Sequence, residues 1–365
     1  MVEEQLEAVE LLIDQAGRFL ASEATPKRLK ELLEQPGSFD HALWHKVTAL
    51  GWPALVIPEA HGGFGLSWTG LARLSSVTGR NTVSLPLVAG AITSMALAKA
   101  GVLDDVIAGL TDGSMIATLS LCSSGESGLA RSPGVAMSGG KLSGVAAPAA
   151  FAAIADVALI AVFADGEAAL ALVNLDQPTV ARAQTPSIDN ARASASLAFD
   201  GATGVIVGRG WDELLHHAAI AATLIAFEQV AGAQHCLDLA VTFARERKVF
   251  GQPIGRFQAI KHRCADIYCE IEIARGCAID ALLALERDDP GFVAGAAAAR
   301  IGATAAYDFA ARETIQMHGG IGVMWEAEPQ HHYRRARALG LELGGSPFWR
   351  DLLVNERNAI PELQL

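Results

Sequence analysis

The sequence predicts a mainly α-helical protein with a small β-domain held between two helical regions. Three observations lead there. Apolar residues recur at helical spacing from Glu4 to Ala100 and again from Trp211 to Met317. Between Ser114 and Gly208 the texture changes to short apolar runs divided by Gly, Ser, Pro and Asp, with few charges. Of 365 residues, 51% are hydrophobic and 19% charged, enough for two or three cores and too apolar for a disordered chain. The expected divisions are a helical N-terminal domain at residues 1–113, a β-domain at 114–208 and a helical C-terminal domain at 209–365.

Each element has its own warrant. In Glu4–Leu20, Val9, Leu12, Ile13 and Leu20 fall on one helical face, and Leu29, Leu32 and Leu33 resume the pattern after Pro26. His41–Leu50 reads as a short helix ended by Gly51; Trp68–Gly79 and Leu85–Ala100 read as two more. Between them, Pro53, Pro58 and the glycines of His61-Gly62-Gly63-Phe64-Gly65 mark a loop. Met115–Leu121, Val157–Phe163, Ala169–Val173 and Ala195–Phe199 read as strands. Leu214–Arg247, Gln258–Leu285 and Gly291–Met317 read as long helices, and the Ala and Gly of the last permit close helix contact.

A formal net charge of −12 leaves no basic excess to neutralise phosphates, which argues against nucleic-acid binding. No membrane span is expected: Val145–Ala164 is apolar but Ala-rich, with Asp156 inside it. The acidic, amphipathic start does not read as a secretory signal, and a cytoplasmic protein is expected. Cys122, Cys236, Cys264, Cys269 and Cys277 form no C-x-x-C pair and read as reduced thiols used in packing.

Two segments exceed packing needs. In the first, a long helix ends in Arg245-Glu246-Arg247-Lys248, then a Gly/Pro loop through Phe250 and Arg256 leads into the helix opened by Gln258. Cations at a helix C-terminus complement its dipole, but Arg247 and Arg256 around two glycines also suit an anionic group such as a diphosphate. In the second, Gln316-Met317-His318-Gly319-Gly320, paired glycines serve either as a helix cap or as a place of close backbone approach to a ligand.

Together these segments resemble the acyl-CoA dehydrogenase family. The resemblance rests on Arg247, Phe250-Gly251, Ile254-Gly255 and Phe257-Gln258, on Gln316 with Gly319-Gly320 and Gly322, and on Pro58-Glu59 with Gly62-Gly63-Phe64-Gly65. It implies a helical N-terminal domain, a β-barrel-like middle domain and a C-terminal four-helix bundle, assembled as a homo- or hetero-oligomeric dimer of dimers. It implies FAD shared between subunits, with Arg247, Phe250 and Gln258 on its adenine and diphosphate part and Gln316, Gly319 and Gly320 lining the diphosphate from the other side. The activity implied is α,β-dehydrogenation of an acyl-CoA thioester in fatty acid or steroid catabolism, with an electron-transfer flavoprotein as acceptor. A carboxylate removes the α-proton and the β-hydrogen leaves as hydride.

Where the family places its base after a Y-R-D-A-like segment, this chain has Tyr333-Arg334-Arg335-Ala336 and then Leu341-Glu342-Leu343-Gly344. Leu343 takes the catalytic register, and Glu342 comes one residue early, a rotation of about 100° if the segment is helical. Some members place the base on the first long C-terminal helix, where Glu228 projects from a face made of Leu224, Ile225, Ala231 and Gly232. Glu228 is therefore the favoured base and Glu342 the alternative, although Ala221 stands where such members keep a second acid. Glu228 also reads as a member of a buried ion pair. In the β-domain, Ala147-Pro148-Ala149-Ala150 replaces the family's Trp-Ile-Thr strand, and Leu121–Gly128 departs from its flavin loop. These departures point to the alternative of a non-catalytic partner completing the flavin site of a heteromeric enzyme; a flavin monooxygenase is a third reading. His331-His332 near Glu326 and Glu328 reads as a solvated segment with no metal, and His216-His217 as edge positions. Trp325-Glu326 resembles the subgroup acting on bulky CoA thioesters.

Overall fold

A computed structural model describes residues 2–358 apart from residue 125, so residues 359–365 of the expected third part lie outside the described residues. Six helices come first: α1 (Val2–Glu23), α2 (Pro26–Leu33), α3 (His41–Ala49), α4 (Trp68–Arg80), α5 (Leu87–Ala100) and α6 (Asp104–Asp112). Local chemistry sets their ends. The Thr25 side chain accepts from Arg28 N at the start of α2, with Pro26 as first helical residue. Asp40 accepts from Leu43 N at 2.8 Å to open α3, and Gly101 at φ 67° closes α5. The strip from α6 was not expected as helix from sequence.

Seven strands follow: β1 (Ala117–Ser120), β2 (Val135–Ser138), β3 (Lys141–Ala149), β4 (Val157–Ala164), β5 (Glu167–Asn174), β6 (Val180–Gln184) and β7 (Ala195–Arg209). Strands β4, β2, β3, β7 and β5 pair in a closed circuit, because β5 returns to β4. Strand β1 extends the same edge of β4 that β2 uses, in parallel, and β6 pairs with the first half of β7. The expected barrel-like middle is thus present. Pro148 falls where the β3–β7 register slips between Ala146 and Ala149, the kind of irregularity that tolerates a missing N–H.

The chain then becomes helical: α7 (Trp211–Glu246), a small hairpin of β8 (Lys248–Val249) and β9 (Gln252–Pro253), α8 (Gln258–Glu286), α9 (Phe292–His318), α10 (Glu328–Leu339) and α11 (Ser346–Asn358). Helices α7, α8, α10 and α11 all pack on α9, and α4 packs on α7. The small residues of α9 do what their size allows. A Cβ on Gly295 or Gly302 would stand only 3.5 or 3.6 Å from the α8 backbone at Ala281 and Ala274. Helix α7 is long and apolar enough to cross a membrane, but 83% of its apolar window is buried within this fold.

Candidate active site and cofactor cleft

Glu228 lies in the middle of α7 and is buried. Its Oε1 accepts from Arg335 Nη1 of α10 at 3.0 Å and from Arg192 Nη1 at 3.3 Å. Arg192 sits in a one-turn 3-10 segment (Asn190–Arg192) between β6 and β7, opened by Asp189, whose side chain accepts from Ala191 N. Arg192 also donates to Glu342 at 2.7 Å, and Arg335 to Asp189 at 2.5 Å. The remaining Arg335 hydrogens go to the Thr82 and Val83 carbonyls and to Ser84 Oγ, in the loop after α4. Arg300 of α9 donates to the carbonyls of Leu339 and Glu342 and to Gln229 Oε1. Three buried guanidiniums thus stand against three carboxylates, a balanced set.

Electrostatics confirm how tightly this set is coupled. Burial works against the charge on Arg335, but Asp189 and Glu228 overcome it and raise its pKa. Burial likewise opposes Arg192, and Glu342 and Glu228 raise it. For Arg300 burial wins over the nearby carboxylates and brings it down to about 10.

The expectation for Glu342 needs correction. The turn after α10 is not helical, since Leu343 is at φ 58° and Gly344 at φ 99°. The one-residue offset therefore does not turn Glu342 away. Its side chain points inward, and Arg192 bridges the two candidate carboxylates. Both line a cavity with Leu85, Ala221, Ile225 and Leu343 whose volume is only about 40 Å³. Ala221, the position of the family's second acid, lies in its wall.

A second cavity of about 200 Å³ opens beside it, between Leu119–Ser123 of the barrel, Ala147–Ala150 of β3 and Leu341–Gly344. The two segments whose sequences depart from the family thus face one another across this space. Ser120 Oγ and Ser123 Oγ are buried in its wall without a hydrogen-bond partner among the described residues. Unpartnered buried hydroxyls are costly. They fit the polar edge of a flavin ring, where sequence reading found no Thr donor. Cys122 lies between them, and burial pushes its thiol up to about 12.

The diphosphate candidates gather at the other end of the bundle. Arg247, Phe250, Gln258, Gln316, Gly319 and Gly320 are all exposed. Phe250 is 92% exposed and held at φ 51° in the β8–β9 turn, a conformation that a bulky residue adopts only under constraint. A Cβ added at Gly319 or Gly320 meets nothing within 4 Å, so the twin glycines border open space. The two loops are neighbours within one chain. Phe243, whose carbonyl accepts from Arg247 N, stacks on His318 with centroids 4.1 Å apart. An exposed cation, an exposed aromatic and bare glycine backbone fit the adenine–diphosphate part of FAD.

Other expectations fail. His331 and His332 are not solvated: both are buried, because α10 packs against both α7 and α9. His217 is buried too, with its Nδ1 2.9 Å from the Glu213 carbonyl, while His216 is half-buried. Sequence reading also passed over Arg192, Ser120 and Ser123. Their only local signal was an arginine in an otherwise apolar strand entry and serines beside Cys122.

The family description "Acyl-CoA dehydrogenase, C-terminal domain" matches residues 208–353, and "Acyl-CoA dehydrogenase, N-terminal domain" matches residues 7–102. Acyl-CoA dehydrogenase IpdE2 of Mycolicibacterium smegmatis is 31% identical over 336 residues, covering 92% of this chain and 94% of that protein. IpdE2 of Mycobacterium tuberculosis is 30% identical over 329 residues, 90% of each chain. Among solved structures, a variant of the Tcur3481-Tcur3483 steroid ACAD aligns with TM-score 0.90 at 26% identity, covering 97% of this chain and 99% of that one. A chain of the ChsE4-ChsE5 complex from Mycobacterium tuberculosis aligns with TM-score 0.88 at 23% identity, covering 97% and 98%, a likeness of fold.

Proposed function

The chain belongs to the acyl-CoA dehydrogenase family, and we propose that within it the chain is the partner subunit of a heteromeric FAD-dependent dehydrogenase, with the α-proton base supplied by another chain. The observation that carries this reading is the Arg192 bridge between Glu228 and Glu342 over a cavity of about 40 Å³. Pockets that enclose drug-sized ligands run to about 300–1,000 Å³. A general base needs a lone pair within hydrogen-bond reach of the proton it takes, and Oε1 of Glu228 is already held by two guanidiniums and Oε1 of Glu342 by one.

In this reading the chain's residues bind and orient. Arg247 and the Gly319-Gly320 backbone hold the diphosphate, Phe250 covers the adenosine side, and Ser120 and Ser123 meet the ring edge. FAD, when bound, supplies the acceptor for the β-hydrogen as hydride. The substrate class is an acyl-CoA thioester with a bulky or steroid-derived acyl part, supported by Trp325-Glu326 and by the likeness to a structure titled as a steroid ACAD. An electron-transfer flavoprotein completes the cycle as acceptor.

A second reading keeps Glu228 as the base. It is favoured by Glu228 bordering the cavity with Oε2 accepting no hydrogen bond among the described residues.

One set of measurements separates them. The chain purified alone is expected to carry well under one flavin by absorbance and to show no turnover of acyl-CoA thioesters with an artificial electron acceptor. Co-expression with a paralogous chain is expected to restore both. Glu228→Gln in that assembly is then expected to retain turnover. A full flavin complement in the lone chain, with turnover cut about 10²–10⁴-fold by Glu228→Gln, would instead make Glu228 the base. Arg247→Glu places an anion against the diphosphate and is expected to weaken flavin retention in the assembly by about 30-fold or more, read by fluorescence of released flavin.

A further inference from the structure

Helices α7 and α10 touch again beyond the Glu228–Arg335 contact. His235 follows Glu228 by seven residues, two turns along α7, and His332 and Glu328 precede Arg335 by three and seven on α10. His235 Nε2 lies 2.7 Å from Glu328 Oε1, and the His235 and His332 rings are 4.9 Å apart at their centroids. One ligand atom from each of His235, Glu328 and His332 lies within 4.8 Å of the others.

The His235–Glu328 contact satisfies one nitrogen of His235 and leaves His332 unexplained. His332 is fully buried; its Nδ1 is 2.8 Å from Tyr307 Oη, and its Nε2, like Nδ1 of His235, has no partner among the described residues. Leaving a buried ring nitrogen unmatched costs roughly 1–3 kcal/mol. An unprotonated ring nitrogen offers a lone pair of the kind a metal ion takes. Arg80 of α4 is paired with Asp238 at 2.9 Å.

We propose that His235, Glu328 and His332 form a binding site for a divalent transition-metal ion of the zinc class, which clamps α7 to α10. Two imidazoles and one carboxylate are a donor set that zinc takes, with water in the fourth place, and Glu328, the most exposed of the three, leaves that side open. Tyr307 then accepts the Nδ1–H of His332 and fixes the tautomer that presents Nε2 to the ion. The clamp holds Arg335, one turn further along α10, against Glu228. This site stands independently of any reading of the flavin chemistry.

The test uses the full chain treated with a chelator and then titrated with Zn²⁺ by calorimetry and with Co²⁺ by visible absorption. One ion per chain and a Co²⁺ band displaced by Zn²⁺ are expected. His235→Ala and Glu328→Gln, at positions that are not fully buried, are each expected to weaken binding at least about tenfold, since even residues that only support a ligand are worth about 10–100-fold. Zn²⁺ should raise the melting temperature of the unmodified chain and not of these variants. No Co²⁺ band at one equivalent, or equal Zn²⁺ affinity in the unmodified chain and both variants, overturns the proposal.

Discussion

Arg335→Met is expected to unfold the chain or to lower its stability by about 3–5 kcal/mol, the largest effect of any single substitution considered for this protein. Arg335 is 1% exposed and donates to Asp189, Glu228, Ser84 Oγ and the carbonyls of Thr82 and Val83. Methionine fills much of the volume but supplies none of those hydrogens. Asp189 is left buried with a single backbone contact, and Glu228 keeps only Arg192. Domains are stable by about 5–15 kcal/mol, so a loss of this size removes a large share. The measurement is the urea midpoint of the purified variant, or its solubility where none can be purified. The variant that also carries Asp189→Asn and Glu228→Gln removes the stranded charges and is expected to recover part of the loss. A change below about 1 kcal/mol for Arg335→Met would show that the cluster does not depend on it.

Gly79→Ala is the second large effect. Gly79 of α4 faces α7 so closely that an added Cβ would stand 2.1 Å from the Glu228 carbonyl oxygen and 2.7 Å from its carbon. Both are backbone atoms of a long helix, so no side chain can swing aside. The helices must separate, which costs about 1–3 kcal/mol and draws Glu228 away from Arg335. Gly90 is the control: it lies within α5 and a Cβ there meets nothing within 4 Å. Gly90→Ala is expected to be neutral or to stabilise by about 0.5–1 kcal/mol. Thermal melting of the two variants side by side checks both; equal behaviour would mean that α4 does not sit on α7 as described.

Much of this architecture was legible before any coordinates. Long helices announce themselves through period, and α7, α8 and α9 repeat theirs over many turns. Helix α6 did not, because nine residues opened by two aspartates, with Gly109 inside, give too short a pattern. Strands β2, β3 and β6 were missed for another reason. Strand β2 alternates but is only four residues long, β3 breaks its alternation with Gly, Ala and Pro, and β6 is almost wholly exposed. The diphosphate loops could be read because Arg, Gly and Pro mark them locally. The arginine–carboxylate set could not, since Asp189, Arg192, Glu228, Arg335 and Glu342 come from four separate stretches of chain. The same applies to His332, whose neighbour His235 is nearly a hundred positions away. The direction of Glu342 does not follow from helical spacing because α10 ends at Leu339 and Leu343, next to Glu342, is left-handed.

Helix α7 has a consequence for how flavin is held. Glu228 and Arg247 are nineteen positions apart, which at 1.5 Å each puts the buried midpoint and the cationic tip about 28 Å apart along one stiff rod. A ribityl diphosphate is shorter than that. In the proposed reading, a flavin whose ring rests beside one rod would meet the tip of another, and each chain would lend its arm to a neighbour's site. Retention is then expected to depend on how many chains are assembled, and dilution of the assembly to release flavin.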